Sequence, residues 1–212
     1  MKKIYLIIIG IILLSFGMGI YFYNTMPDQM VSHWDANGEP DDHMGKFWGL
    51  FLFPILSLGL AILFLVLPKI DPLKNNIKKF RNYYDWFIIL FLFFMLYMYI
   101  ITVLWNLGHE FDMNRIILPA FAVLFFYIGI MTGHAKQNWF IGIRTPWTLS
   151  NEKVWNKTHK LAGKLFKIVA VMSLVGLLFR DYAMWFILIP VIGVSIFSFV
   201  YSYLEYQKQV KK

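Results

Sequence analysis

The chain has 212 residues, of which 59% are hydrophobic, 19% aromatic and only 15% charged, with a net charge of +8 and no cysteine. A water-soluble domain carries about 45–50% apolar and about 25% charged residues, so hydrocarbon is the expected solvent. The lack of cysteine excludes disulfides, thiolate metal sites and thiol nucleophiles. The excess Lys and Arg sit between apolar runs and form no continuous basic face, which argues against nucleic acid as a partner.

A helix crosses a bilayer core with roughly 20 apolar residues. In chain order, such runs fall at residues 4–23, 48–67, 86–105, 116–132, 165–179 and 183–203, the fifth being the shortest and starting in a lysine-rich turn. The first follows Lys2 and Lys3 as a signal peptide would, but it is longer than a secretory h-region and exits through Tyr21-Phe22-Tyr23-Asn24. We read it as a retained helix. The runs lack period-2 alternation, and backbone groups in lipid must bond within their own segment, so helices are expected rather than a barrel. The predicted fold is therefore an all-α membrane protein with six transmembrane helices. Pro54 with Gly59, Pro119, and Pro190 with Gly193 could mark kinks or could be ordinary residues of membrane helices.

With the N-terminus inside, seventeen of the twenty Lys and Arg fall on the cytoplasmic side, and only Lys46, Arg115 and Arg180 stay out. This bias predicts that both termini are cytoplasmic and that the chain is a multi-pass protein of the cell (plasma) membrane. Eight of the twelve acidic residues fall outside: Asp28, Asp35, Glu39, Asp41, Asp42, Glu110, Asp112 and Asp181. The outer face is thus expected to be anionic. No ionisable residue lies deep in the five clear spans, which argues against a proton-coupled pump. Tyr97, Thr102, Asn106, Tyr127, Ser195 and Ser198 could still line a polar path, so a small transporter or channel is the alternative reading.

Between the first two spans, residues 24–47 form a long outer loop. Pro27 and Pro40 forbid a continuous helix, and Asn37-Gly38 is a tight-turn pair, so a hairpin with Val31–Asp35 as one arm is expected. His33, Asp35, Glu39, Asp41, Asp42 and His43 are metal-capable side chains, but their spacing fits no HExxH or EF-hand pattern, and no metal or other cofactor is assigned.

The inner loop, residues 134–164, is polar, basic and rich in tryptophan. Trp139, Trp147 and Trp155 recur every eight residues, as suits a membrane–water boundary, and Pro146 interrupts any helix there. Beyond it, Ser150 or Asn151 can cap an amphipathic helix. Lys153, Lys157, Lys160, Lys164 and Lys167 form one stripe, and Val154, Thr158, Leu161, Leu165 and Ile168 form the adjoining one. Trp155, Ala162 and Phe166 widen the apolar face. Such a helix should lie along or enter the inner leaflet with its lysines toward lipid phosphates. It could be an interfacial anchor that starts the fifth span or, with Arg144 and the Trp147 region, a docking face. His159 has no evident carboxylate partner and reads as interfacial.

Two of these segments resemble the Sdp immunity protein (SdpI) family. In the outer loop the resemblance rests on Pro27, His33, Trp34, Asp35, Gly38, Pro40, Asp41 and Lys46. In the inner loop it rests on the run Asn138–Lys164, with candidate binding residues Asn138, Phe140, Gly142, Arg144, Thr145, Pro146, Trp147, Trp155, Thr158 and His159. Asp42 and His43 depart from the family pattern. The resemblance implies a non-enzymatic immunity protein or receptor that resists a secreted, membrane-active killing peptide. It further implies a cytoplasmic transcriptional repressor as a signalling partner, beside the membrane lipids. Independently of the family, the chain has no P-loop, G-x-S-x-G, HExxH or G-x-G-x-x-G motif, and Ser150 and His159 are not spaced as a nucleophile–base pair. No catalytic residue is assigned.

Overall fold

A computed structural model describes residues 2–211. Among these, six helices are long and apolar enough to cross a membrane. They are α1 (Lys2–Phe22), α2 (Lys46–Ile70), α4 (Arg81–Asn106), α5 (Met113–His134), α7 (Glu152–Val175) and α8 (Trp185–Val210). Two short helices, α3 (Lys74–Lys78) and α6 (Pro146–Ser150), and an antiparallel hairpin, β1 (Gln29–Trp34) with β2 (Pro40–Gly45), lie in the connections. The helices run on through Pro54, Pro119 and Pro190. Much of their apolar surface faces outward, including Leu6, Leu13, Ile62, Val123 and Ile189. In water that would be a large liability, whereas in lipid it is the solvated face.

The helices form two groups of three. α1, α2 and α4 share a core built from Ile8, Ile11, Leu50, Tyr84, Ile88, Leu92 and Tyr99. α5 packs most extensively on α7, α7 on α8, and the α4–α5 contact joins the groups. The α5–α7 seam is closed by glycine. A Cβ on Gly163 would lie 2.7 Å from the Gly129 carbonyl and 2.9 Å from the Gly133 nitrogen, and one on Gly129 would lie 2.6 Å from the Gly163 carbonyl. Small residues four apart allow this backbone approach, which supplies dispersion contact where lipid removes most of the hydrophobic driving force.

The amphipathic stretch starts the fifth span, as one of its two readings expected. It is the first half of α7, continuous with the fifth expected span and capped by Asn151, whose side chain accepts from the Lys153 and Val154 amides. Its buried face begins on the expected one, with Val154, Trp155, Thr158 and Ala162 buried, and then drifts about one residue past the stripe. Gly163, Val169 and Ala170 are buried there, while Ile168 is 56% exposed. The displacement follows from the glycine contact, which turns small residues rather than the bulkiest ones toward α5. The lysine stripe remains exposed.

Polar bonds tie each end of the bundle together. Asn106 at the end of α4 and Asn114 at the start of α5 both bond the hairpin, so the hairpin and the α4–α5 turn share one end. Asp71 after α2 bonds Trp139, Thr145 bonds Ser202 of α8, and Lys157 pairs with Glu205, which brings the α2–α4 and α5–α7 connections and the last turns of α8 together at the other end. The first end carries the acidic loops, the second the basic ones.

Candidate functional site

At the acidic end, the hairpin is held by its backbone. The Asn106 side-chain amide accepts from the Val31 amide at 2.8 Å and donates to the Val31 carbonyl at 3.0 Å, imitating one rung of a sheet on the strand's edge. Asn114 Nδ2 donates to the Ala36 carbonyl at 3.0 Å. Met30 is fully buried against Gly49, where a Cβ would stand 2.6 Å from its sulfur. Trp34 packs edge-on against Trp105, which in turn packs against Phe111.

The turn is closed by Asp35. Its Oδ1 accepts from the amides of Asn37 (2.8 Å) and Glu39 (2.9 Å), while Gly38 takes φ 85°, a conformation L side chains rarely adopt. The Glu39 amide is the main reason the Asp35 carboxyl sits below its ordinary value. Lys46 pairs with Asp28 at 2.9 Å and lowers that carboxyl likewise. The outward side of the hairpin presents His33 paired with Asp41, together with Glu39, Asp42 and His43. Among the described residues no three His, Asp or Glu side chains converge as a metal site would require.

At the basic end, residues 135–151 fold into a closed cap. Fully buried Asn138 organises its first turn, with Oδ1 accepting from the Phe140 and Ile141 amides and Nδ2 donating to the Lys136 and Ile141 carbonyls. Buried Asp71 accepts from the Leu73 and Trp139 amides. Gln137 Nε2 donates to the Thr148 and Leu149 carbonyls, and Asn76 donates to the Gln137 carbonyl. Thr145 and Thr148 form a reciprocal cap of α6 ahead of Pro146. Trp147 packs against Phe199 and Tyr203 of α8.

Underneath the cap, Trp155 and His159 of α7 stack at 3.9 Å between ring centroids. Trp155 Nε1 donates to the Ala135 carbonyl. His159 Nδ1 donates to the Trp155 carbonyl, which leaves Nε2 to accept from the Ile143 amide at 3.0 Å. This pattern is that of the neutral ring. Gly142 beside it has φ 108°, and a Cβ there would lie 2.4 Å from His159 Nε2.

The sequence-predicted residues therefore divide. Asn138, Thr145 and His159 are buried and hold the cap, Thr158 is buried with its hydroxyl unpartnered, Gly142 permits the turn, and Trp155 floors it; His159 is a buried ring rather than an interfacial one. Phe140 is half-buried against the main core. Arg144 is exposed, and its Nη1 donates to the Trp139 carbonyl at 3.1 Å. In the hairpin, Asp35, Gly38 and Trp34 are structural, while His33 and Asp41 are exposed. Asp71, Asn76, Asn114, Gln137 and Ser202 escaped the sequence reading, and Asn106 entered it only as lining a polar path. Each is a lone polar residue at a helix end or within an apolar run, and only its bonding to a distant backbone sets it apart.

Of the residues proposed for a polar path, Ser195 and Ser198 of α8 share one small cleft, and the others are engaged apart from it. Asn106 holds the hairpin, Thr102 bonds the Met98 carbonyl, Tyr97 the Ile116 carbonyl, Tyr127 the Tyr83 carbonyl, and exposed Ser195 the Val191 carbonyl.

Residues 134–202 match the SdpI/YfhL protein family, and residues 10–58 match a domain of unknown function, DUF1648. Over 209 residues the chain is 27% identical to the Immunity protein SdpI of Bacillus subtilis (strain 168), covering 98% of each chain. The chain is similar to the SdpI family along nearly its whole length. The SdpI/YfhL match spans the whole cap, α7 and most of α8, and the DUF1648 match spans most of α1, the hairpin and the first half of α2. Both polar ends thus fall within matched segments. No solved structure matches the chain.

Proposed function

We propose that this chain is an SdpI-like, non-enzymatic membrane immunity protein, protecting its own cell from a secreted, membrane-active killing peptide. The observation that carries this reading is the end-to-end similarity to Immunity protein SdpI. In the proposed orientation the basic end and both termini face the cytoplasm, following the distribution of Lys and Arg. The hairpin then faces the exterior, with Glu39, Asp41 and Asp42 exposed on a rigidly mounted strand pair. Fixed negative charge beside Trp34 and Trp105 suits a cationic or amphipathic peptide, since charge steers encounter and aromatic rings hold apolar side chains. At the opposite face, exposed Arg144, Trp139 and the lysine stripe of α7 would receive a cytoplasmic repressor once the peptide is engaged. The mounting of the hairpin on α4 and α5, and of the cap on α2, α7 and α8, offers a rigid path between the faces.

The test is expression in a toxin-sensitive host followed by challenge with the killing peptide. Survival should rise with the intact chain. It should fall when Asp41 and Asp42 are together replaced by Lys, with the membrane level unchanged. Unaltered killing despite full membrane levels of the intact chain would refute immunity to that peptide.

A further inference from the structure

Beside the cap lies a cleft of about 180 Å³ between the cap, α7 and α8, lined by Arg144, Thr145, Ser195 and Ser198 with Phe166 and Phe199. Two independent features of it are unspent. The Arg144 guanidinium makes a single hydrogen bond to a carbonyl and pairs with no carboxylate among the described residues. The Ser198 hydroxyl is buried and has no hydrogen-bond partner. Thr145, by contrast, is fully engaged with Ser202 and Thr148. A planar cation and a buried hydroxyl donor facing one small space are complementary to an oxyanion, and a buried donor left unpaired is costly unless something accepts from it.

The level of the cleft identifies the oxyanion's carrier. Trp147, Phe199 and Tyr203 cluster directly beside it, and Trp and Tyr concentrate where headgroups meet hydrocarbon. Ser198 lies twelve residues before Val210, or about 18 Å along α8 at the helical rise, so the cleft is set well below the end of the helix. Phe166 and Phe199 furnish apolar walls, and neighbouring Ile192 and Ile196 are exposed on the outer side of α8. A soluble phosphate would meet a greasy rim, whereas a lipid brings its tails to that surface.

We propose that this cleft binds the phosphate of an anionic phospholipid, with Arg144 and Ser198 as donors. The lipid fastens α8 to the cap from the side that Thr145 and Trp147 do not cover.

The experiment uses the full chain, purified and delipidated, with retention of defined lipids read by native mass spectrometry. Phosphatidylglycerol should be held about tenfold more tightly than diacylglycerol, which has the same tails and no phosphate, the increment of a charge-assisted hydrogen bond. Arg144→Gln should abolish that preference and Arg144→Lys should restore part of it. Ser198→Ala, which removes only an unpartnered hydroxyl, should weaken it several-fold and keeps the test decisive if Arg144→Gln loosens the cap. Equal retention of the two lipids, or a preference untouched by both Arg144→Gln and Ser198→Ala, overturns the site. Displacement of the lipid by millimolar inorganic phosphate assigns the cleft to a free oxyanion and overturns the lipid. Retention is measured without toxin, so its outcome is separate from that of the immunity reading.

Discussion

Gly142→Ala should unlock the cap, and the structure gives both the size of the effect and its partner. Two costs combine at this position. At φ 108° an alanine is strained by about 1–3 kcal/mol. Its Cβ would also fall 2.4 Å from His159 Nε2, so the ring must withdraw from the Ile143 amide that it accepts from at 3.0 Å. Losing that bond costs roughly 1–3 kcal/mol because both groups are left in a partly closed site. With some relaxation, a total of about 2–4 kcal/mol is expected, lowering the apparent Tm by roughly 5–15 °C in a chain of this size. Tryptophan fluorescence in detergent is the assay, since Trp139, Trp147 and Trp155 all report on the cap. The decisive comparison is Gly142→Ala in a His159→Ala background, where only the backbone strain should persist. The coupling energy should be about 1–3 kcal/mol. Equal costs in both backgrounds would refute the clash, and no cost in either would refute the left-handed turn as well.

Gly163→Leu should drive α5 and α7 apart, because even a Cβ there meets the Gly129 carbonyl and the Gly133 backbone; size-exclusion of the detergent-solubilised protein should show loss of the monodisperse species, and an unchanged profile would contradict the seam. Asn106→Leu removes both bonds to Val31 and should free the hairpin while sparing the helices, seen as faster proteolysis within residues 24–47 at nearly unchanged melting. The turn should also loosen in acid. The Asp35 carboxyl lies below its ordinary value, chiefly through the Glu39 amide, so its contribution is complete above about pH 4 and is lost as pH falls through the folded-state value. An NMR titration in which Asp35 protonates at or above the ordinary carboxylate value would contradict that geometry. Finally, single cysteines introduced at Asp42 and Ser150 of this cysteine-free chain should label from the outside and the inside respectively; the reverse pattern would invert the proposed orientation.

The helices were legible because lipid imposes one rule on every span: a long apolar run with its backbone bonds closed internally. The turn was legible for a similarly local reason, Asn37-Gly38 being able to supply the positive φ. The packing was harder to read. Hydropathy counts glycine as neutral, so the close seam of Gly129, Gly133 and Gly163 is invisible to it, and the buried face of α7 was placed by its bulky residues instead. The small-x-x-x-small spacing of Gly129 and Gly133 was the available signal. Asn114 and Asp71 left no comparable trace, and Asn106 stood out only as a polar group in an apolar run, since each acts on a backbone group brought near only by the fold.

The same distinction governs how the inner segment should be understood. Tryptophan, arginine, histidine and asparagine in one polar stretch invite a docking surface, yet Asn138, Thr145, Trp155 and His159 are buried in closing the cap. A connection pressed against a membrane bundle must satisfy its own amides and carbonyls without help from bulk water, and polar side chains are the means of doing so. Their presence follows from architecture. What architecture leaves unexplained is narrower: a guanidinium with no carboxylate among the described residues, the orphan hydroxyls of Ser198 in its cleft and Thr158 on α7, and an exposed tryptophan, Trp139. Recognition at this end of the molecule should therefore be sought at Arg144 and its immediate surroundings, and substitutions at the buried positions should act on stability before they act on binding.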